Sequence, residues 1–285
     1  MNEQGKLYIC GTPIGNLKDI TLRALDILKE VELIAAEDTR RTKKLLNKYD
    51  INTSLTSYHE HNEKEKAVEL IAKLKKSQDL ALVSDAGMPG ISDPGSELIK
   101  KSIAKGIEVI PIPGPTAFTP ALIVSGLPMD RFVFEGFIPR KGEKREQRIQ
   151  EIQKEERTVI LYESPYRLQE TLKELEPVLD QRNIAVVREI TKIHEEKIYG
   201  TITQVLDQLE QTDIKGEIVL VIEGRKKNDV EQEVWEDLSI VEHVELLMDN
   251  GYTKKEAIKK VSTIRDLPKR KVYKEAIVIN ARQGK

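Results

Sequence analysis

The sequence predicts an α/β protein with a mostly parallel sheet flanked by helices, a second, mixed sheet, and a small helical appendage. Three observations carry this expectation. In the first 112 residues, short apolar runs alternate with amphipathic stretches. A Pro-rich segment, 111–120, interrupts the alternation, and a second series of strands resumes beyond it. After Gly224 the sequence becomes helical in pattern and segregated in charge.

The first series reads 7–10, 33–36, 80–84 and 107–112 as strands. Each is a short, mainly apolar run, the pattern of a strand covered on both faces. Residues 21–30, 39–48, 63–76 and 94–105 read as the intervening helices. In the third of these, Ala67, Leu70, Ile71 and Leu74 recur at i, i+3, i+4 and i+7 and share one helical face. Strand-helix alternation implies parallel strands with helices on both faces. The second series reads 131–137, 158–162, 184–187, 197–201 and 217–222 as strands, with helices at 144–155 and 166–179. Its later strands have little helix between them, so this sheet is expected to be mixed. The expected division is an α/β domain over 1–114, a second over 115–226, and a helix-turn-helix-like appendage over 227–285.

Composition narrows the function classes. Lys and Arg total 46 against 48 Asp and Glu, and a net charge of −2 argues against a uniformly basic nucleic-acid coat. The charge is unevenly spread, however. Residues 228–250 hold eight acids and no Lys or Arg, whereas 251–285 hold eleven Lys/Arg and three acids, 11 − 3 = +8. This basic stretch reads as helix, turn, helix. Thr253 is a candidate N-cap for 254–261, and Leu267-Pro268 opens a second helix through Ala276. Cys10 is the single cysteine, which excludes an internal disulfide or a Cys-based zinc site. The longest charge-free window, 109–129, contains five prolines and does not read as a spanning helix. With no basic-then-apolar leader either, the chain is expected to be soluble and cytoplasmic, with no membrane partner.

Four loops that follow the first-series strands have unusual composition. Gly11-Thr12-Pro13-Ile14-Gly15-Asn16 sits where a dinucleotide fingerprint would lie but is not one, and no Walker A sequence occurs. Ala36-Glu37-Asp38-Thr39-Arg40-Arg41 puts two acids at a helix start, which also suits plain capping. The stretch 84–95, SDAGMPGISDPG, holds three Gly, two Pro and two Asp, a density a plain surface loop does not need. Its acids suit ribose hydroxyls, an ammonium group or a metal. Pro113-Gly114-Pro115-Thr116-Ala117 combines rigid turns with small residues and also suits an interdomain hinge. In an open α/β sheet, ligands bind beyond the carboxyl ends of strands, so the four loops are expected to converge on one cleft.

Together these stretches resemble the tetrapyrrole methylase superfamily and, within it, the branch of small-subunit ribosomal RNA methyltransferases. The resemblance continues through SYHEHNE (57–63), FEGFIPRKG (134–142), YESPYR (162–167) and REITKIHEE (188–196), and spans about residues 6–225 in order. It implies two α/β domains with S-adenosylmethionine in the cleft between them, usually in a homodimer. It implies 2′-O-methylation of a cytidine ribose in the decoding region of 16S rRNA. Position by position, it brings Pro13, Asp85, Ala86, Gly87, Ile91, Ser92, Asp93, Thr116, Ala117, Tyr162, Ile190 and Gly216 to the cofactor.

Methyl transfer from a sulfonium requires alignment and exclusion of water, and a ribose hydroxyl needs help to lose its proton. Glu37, Asp38 and His59 are the candidates for that help, with Arg40 or Arg188 holding a phosphate. A basic run supplies further RNA candidates, Arg140, Lys141, Lys144 and Arg145, and Lys269-Arg270-Lys271 opens the last helix. Three other readings stay open at this point. They are a methylase of this fold acting on a tetrapyrrole or diphthamide, a carboxylate-metal phosphohydrolase, and a non-enzymatic RNA-binding protein.

Overall fold

A computed structural model describes residues 4–179, 181–210, 214–226, 238–265 and 267–277. Residues 228–237 of the acidic stretch, and 278–285 of the basic one, lie outside the described residues. The chain forms two compact units. One runs to Gln153 and resumes from Arg157 to Glu223; the other gathers Lys154–Glu156 with the chain from Gly224 onward.

The first unit holds two sheets. Strands β1 (Leu7–Cys10), β2 (Leu33–Ala36), β3 (Leu55–Ser57), β4 (Leu80–Val83) and β5 (Val109–Ile112) form an all-parallel sheet in the order β3-β2-β4-β1-β5. The crossovers carry α1 (Leu22–Glu30), α2 (Thr39–Lys48), α3 (Glu63–Leu74) and α4 (Ser96–Ala104). The interior strands β1, β2 and β4 are mainly buried on both faces, as their unbroken hydrophobicity demands, whereas the edge strands β3 and β5 are partly exposed. Ala67, Leu70, Ile71 and Leu74 of α3 pack with Leu98 of α4 over one face, while Ala24, Leu28 and Leu46 of α1 and α2 cover the other. Cys10 ends β1, an interior strand of this sheet, fully buried, and burial pushes its thiol up to about 12.

The second sheet contains β6 (Phe132–Phe137), β7 (Thr158–Glu163), β8 (Asn183–Arg188), β9 (Glu196–Thr201) and β10 (Ile218–Ile222), in the order β6-β7-β10-β8-β9. Only β6·β7 is parallel; the other three pairings are antiparallel, so the sheet is mixed. α6 (Glu143–Lys154), α7 (Leu168–Leu179) and α8 (Ile202–Leu209) bury one face, and α5 (Phe118–Val124) covers the other. Strand β3 and helices α5 and α8 are additions to the elements read from sequence.

In the second unit, α9 (Ile240–Asp249), α10 (Lys254–Ile264) and α11 (Lys269–Ala276) share a small core of Val244, Ala257, Ile258, Val261, Val272 and Ala276. Thr253 caps α10 in a reciprocal box with Glu256, and Ser239 does the same for α9 with Glu242. Three helices thus stand where the sequence reading had two. Among the described residues, no helix is long and apolar enough to cross a membrane.

Candidate cofactor cavity

Parallel pairing places the carboxyl ends of β1, β2, β4 and β5 on one edge of the first sheet. The loops leaving those ends are bound to one another. Thr12 and Gly87 exchange both backbone hydrogen bonds, at 2.9 and 3.0 Å, and Thr12 Oγ1 donates to the Ser84 carbonyl. Gly87 takes φ +87°, a left-handed conformation that a side chain would strain. Gly114 lies so close to Gly11 that a Cβ there would meet the Gly11 Cα at 2.8 Å. That contact is backbone against backbone, so neither loop could yield to a methyl group without moving.

The second and third loops are joined through carboxylates. Asp85 N–H donates to Glu37 Oε2 at 3.3 Å, Asp38 N–H donates to Asp85 Oδ1 at 3.0 Å, and Arg41 pairs with Asp85 Oδ2 at 3.0 Å. These contacts fix an acidic end on a cavity of about 420 Å³ lined from all four loops and from the second sheet. Glu37, Asp85, Asp93, Glu163 and Glu217 are the acids in its lining, with Arg41 as a counter-charge. Burial raises Asp93 to about 7, with Glu37 and Asp85 adding like-charge repulsion. Glu37 is also raised, chiefly by burial.

Phe118, Phe137 and Tyr162 also line the cavity, and Phe134 packs against Phe118 and Tyr162. Phe118 stacks on Phe134 with ring centroids 4.8 Å apart, and Tyr162 meets Phe134 edge-on at 4.9 Å and Phe137 at 5.6 Å. Burial pushes the Tyr162 hydroxyl up to about 12. One cavity therefore offers a flat apolar surface and a cluster of carboxylates, the chemistry that suits a molecule with an aromatic base, hydroxyls and positive charge.

Ten of the twelve residues expected at the cofactor line this cavity: Asp85, Ala86, Gly87, Ile91, Ser92, Asp93, Thr116, Ala117, Tyr162 and Gly216. Pro13 and Ile190 do not. Thr12 and Ile14 are buried on either side of Pro13, as an extended backbone alternates its side chains, and Ile14 takes the lining position instead. Ile190 is packed in the apolar cluster beside Ile14. Sequence reasoning did not bring Arg41, Phe137, Glu163 or Glu217 to the cofactor, although Arg41 lies in the 36–41 loop and Phe137 and Glu163 lie within FEGFIPRKG and YESPYR.

Of the three proton-acceptor candidates, only Glu37 lines the cavity. Asp38 caps α2, and its carboxylate is clasped by Arg40 at 2.9 Å, which holds it down at about 2. His59 lies outside the lining; its backbone N–H donates to Asn62, and its ring stands edge-on to His61.

Two RNA candidates are corrected. Arg145 is 5% exposed, and its guanidinium donates to Glu174 Oε2, the Pro139 carbonyl and Thr171 Oγ1. With its donors turned inward it ties the 139–142 turn to α7. Arg188 is 8% exposed and donates to Glu196, its register partner on β9, and to the Lys215 carbonyl. Arg40, Arg140, Lys141 and Lys144 are exposed, as are Lys269, Arg270 and Lys271 in the second unit. Among the described residues, no cluster of three or more His, Cys, Asp or Glu could hold a metal ion.

The fold is that of a two-sheet methylase. It superposes on a uroporphyrin-III C-methyltransferase from Thermus thermophilus with a TM-score of 0.55 at 18% identity, covering 77% of this chain and 97% of that one. A diphthine synthase gives 0.61 at 14%, covering 77% and 90%. Residues 6–206 match the tetrapyrrole (corrin/porphyrin) methylases, and the chain belongs to that family. Proteins named ribosomal RNA small subunit methyltransferase I are similar over nearly all of the chain. That of Halalkalibacterium halodurans is 49% identical over 273 residues, covering 95% of this chain and 94% of its own. That of Bacillus subtilis is 47% identical over 274 residues, with the same coverage. The methyl donor of this family is S-adenosylmethionine, and the chain is a methyltransferase that uses it. The cavity fits that donor: aromatic side chains for the adenine, carboxylates for hydroxyls and cationic groups.

Proposed function

We propose that the chain methylates the 2′-hydroxyl of a cytidine ribose in the decoding region of 16S rRNA, acting on the small ribosomal subunit or its RNA. The observation that carries this reading is the 49% identity over 95% of the chain to a protein named for that rRNA. In this reading, residues 1–114 and 115–226 serve as two α/β domains around the donor, and 227–285 as an RNA-contact appendage. The working species is a homodimer. Arg40, Arg140, Lys141 and Lys144 meet phosphates, as do Lys269, Arg270 and Lys271. The tetrapyrrole and diphthamide readings are disfavoured because the solved structures that suggest them are at most 20% identical.

S-adenosylmethionine supplies an activated methyl group. The chain's own residues orient the donor, exclude water and accept a proton. Glu37 is the proton acceptor in this reading: it lines the cavity, and burial raises it toward neutrality, where a general base works best. Asp38, pinned by Arg40, is a helix cap, and His59 stands apart.

The test is methyl transfer from labelled donor to small subunits lacking the modification. One methyl per subunit is expected, with the adjoining phosphodiester becoming resistant to alkali. Glu37→Gln keeps an oxygen for the Asp85 amide while removing the charge. It is expected to lower kcat by about 10²-fold or more, leaving the donor-induced rise in Tm intact. Full-rate transfer by Glu37→Gln would remove Glu37 from the role, and absence of transfer by the unaltered chain would remove the reaction.

A further inference from the structure

The second unit has a groove of its own. Helices α10 and α11 carry eight Lys or Arg against two acids, Glu256 and Glu275. Glu256 is engaged in capping, its Oε2 accepting from Thr253 N–H at 2.9 Å and Thr253 Oγ1 at 2.6 Å. Lysines open both helices, and α11 has no acid in its first turn. Cations at helix N-termini oppose the macrodipole, so helix stability does not account for them.

Lys254, Lys255, Ile258, Lys269, Tyr273 and Ile277 line a groove of about 500 Å³. Ile258 is buried in the three-helix core, whereas Tyr273 and Ile277 are more than half exposed. Lys269 and Tyr273 stand at i and i+4 on one face of α11, and Ile277, four residues further, caps its C-terminal end. Among the described residues, neither Lys255 nor Lys269 has a carboxylate partner. Tyr252, another tyrosine of this unit, is already engaged: Lys260 Nζ sits 4.7 Å from the centre of its ring. Among the described residues, Tyr273 has no such cover.

We propose that this groove binds an unpaired RNA strand, with phosphates on Lys254, Lys255 and Lys269 and a base stacked on Tyr273. The inference rests on the RNA reading above and gives the appendage a specific ligand form. Lysines supply point charges to phosphate, and an exposed aromatic face adds a stacking platform that every base can use. A duplex meets the charges equally well, but it buries its base faces and gains nothing from Tyr273. An anionic lipid surface suits the charges too, yet among the described residues Tyr273 and Ile277 are the exposed apolar side chains that line the groove, a small area to insert.

The experiment measures binding of a labelled single-stranded RNA by the full-length chain, against the same RNA annealed to its complement and against phosphatidylserine vesicles. Tyr273→Ala is expected to weaken single-strand binding about tenfold, and Tyr273→Phe to stay within about twofold. Joint replacement Lys255→Ala, Lys269→Ala is expected to reduce the salt slope by roughly 1.4. Helical circular-dichroism amplitude equal to that of the unaltered chain shows that the second unit of each variant is folded. Unchanged affinity and slope in both variants would overturn the proposal, as would binding to vesicles without binding to RNA. If the variants lose RNA binding while the unaltered chain fails to methylate subunits, the groove stands and the reaction falls. If methylation is intact and the variants bind RNA normally, the groove falls alone.

Discussion

Replacing Glu163 with alanine is expected to destabilise the two-sheet unit by about 3–5 kcal/mol. For a unit of this size that corresponds to a fall of roughly 10 °C in Tm. Glu163 is 3% exposed at the end of β7, and its carboxylate is held by three donors. It accepts from Ser164 N–H at 2.6 Å, from Thr171 Oγ1 at 2.7 Å and from Arg167 Nη2 at 2.7 Å. Thr171 Oγ1 accepts in turn from Arg145, so the chain of bonds links the 139–142 turn, α7 and the 163–167 loop. Removing the carboxylate leaves Arg167, four-fifths buried, without its counter-charge, and strips the Thr171 proton of its acceptor. Because Glu163 also lines the cavity, donor binding should weaken with stability. Glu163→Gln, which keeps acceptor oxygen but not charge, is expected to lose less. A Glu163→Ala protein melting within about 2 °C of the parent would show that the network is not the anchor described here.

The second large effect is on donor affinity as a function of pH. Asp93 has a folded pKa of about 7 against an ordinary 3.8, through burial first and the nearby carboxylates second. Between those values the folded chain holds a proton that the unfolded chain has shed. The contribution of Asp93 to stability is therefore most favourable below pH 4 and declines as pH rises toward 7. Cation binding has the opposite dependence. A positively charged donor at the acid end favours the carboxylate, so binding below pH 7 must expel a proton, and affinity is expected to rise about tenfold from pH 6 to pH 8. Calorimetric titration in two buffers of different ionisation enthalpy would read the released proton directly. Asp93→Asn should flatten the profile over that range. A flat profile in the unaltered chain would dismiss the assignment of that proton to this site.

The strands of the first sheet were legible because burial on both faces leaves no room for polar alternation: β1, β2 and β4 read as continuous apolar runs. Strand β3, Leu55-Thr56-Ser57, is three residues long at a sheet edge and carries no such signal. Helix α5 was hidden by Pro120, which reads as a breaker but sits in the first turn, where no intrahelical donor is lost. Helix α8 had its signal in plain view. Ile202, Val205, Leu206 and Leu209 fall on one face behind a Thr201–Gln204 capping box, but Thr201 also ends β9.

In the cavity, the Gly-Pro loops were legible from local chemistry, since close backbone approach and left-handed turns restrict residue type. Arg145 was not. Its neighbours in sequence are charged and surface-like, and the partners that draw it inward, Thr171 and Glu174, lie 26 and 29 residues away. A charge run shows how many cations it holds, and only tertiary structure shows which of them face water.

Cys10 offers an experimental handle. The chain's one thiol closes a strand flanked on both sides by β4 and β5, with no exposed surface. No reagent reaches that sulfur until the apolar layer between the first sheet and helices α1 and α2 opens. Alkylation of the unaltered protein thus serves as a clock for that opening, free of any competing cysteine. Because the loop that follows Cys10 carries the Thr12 bridge and the Gly11–Gly114 contact, a bound donor should slow that clock.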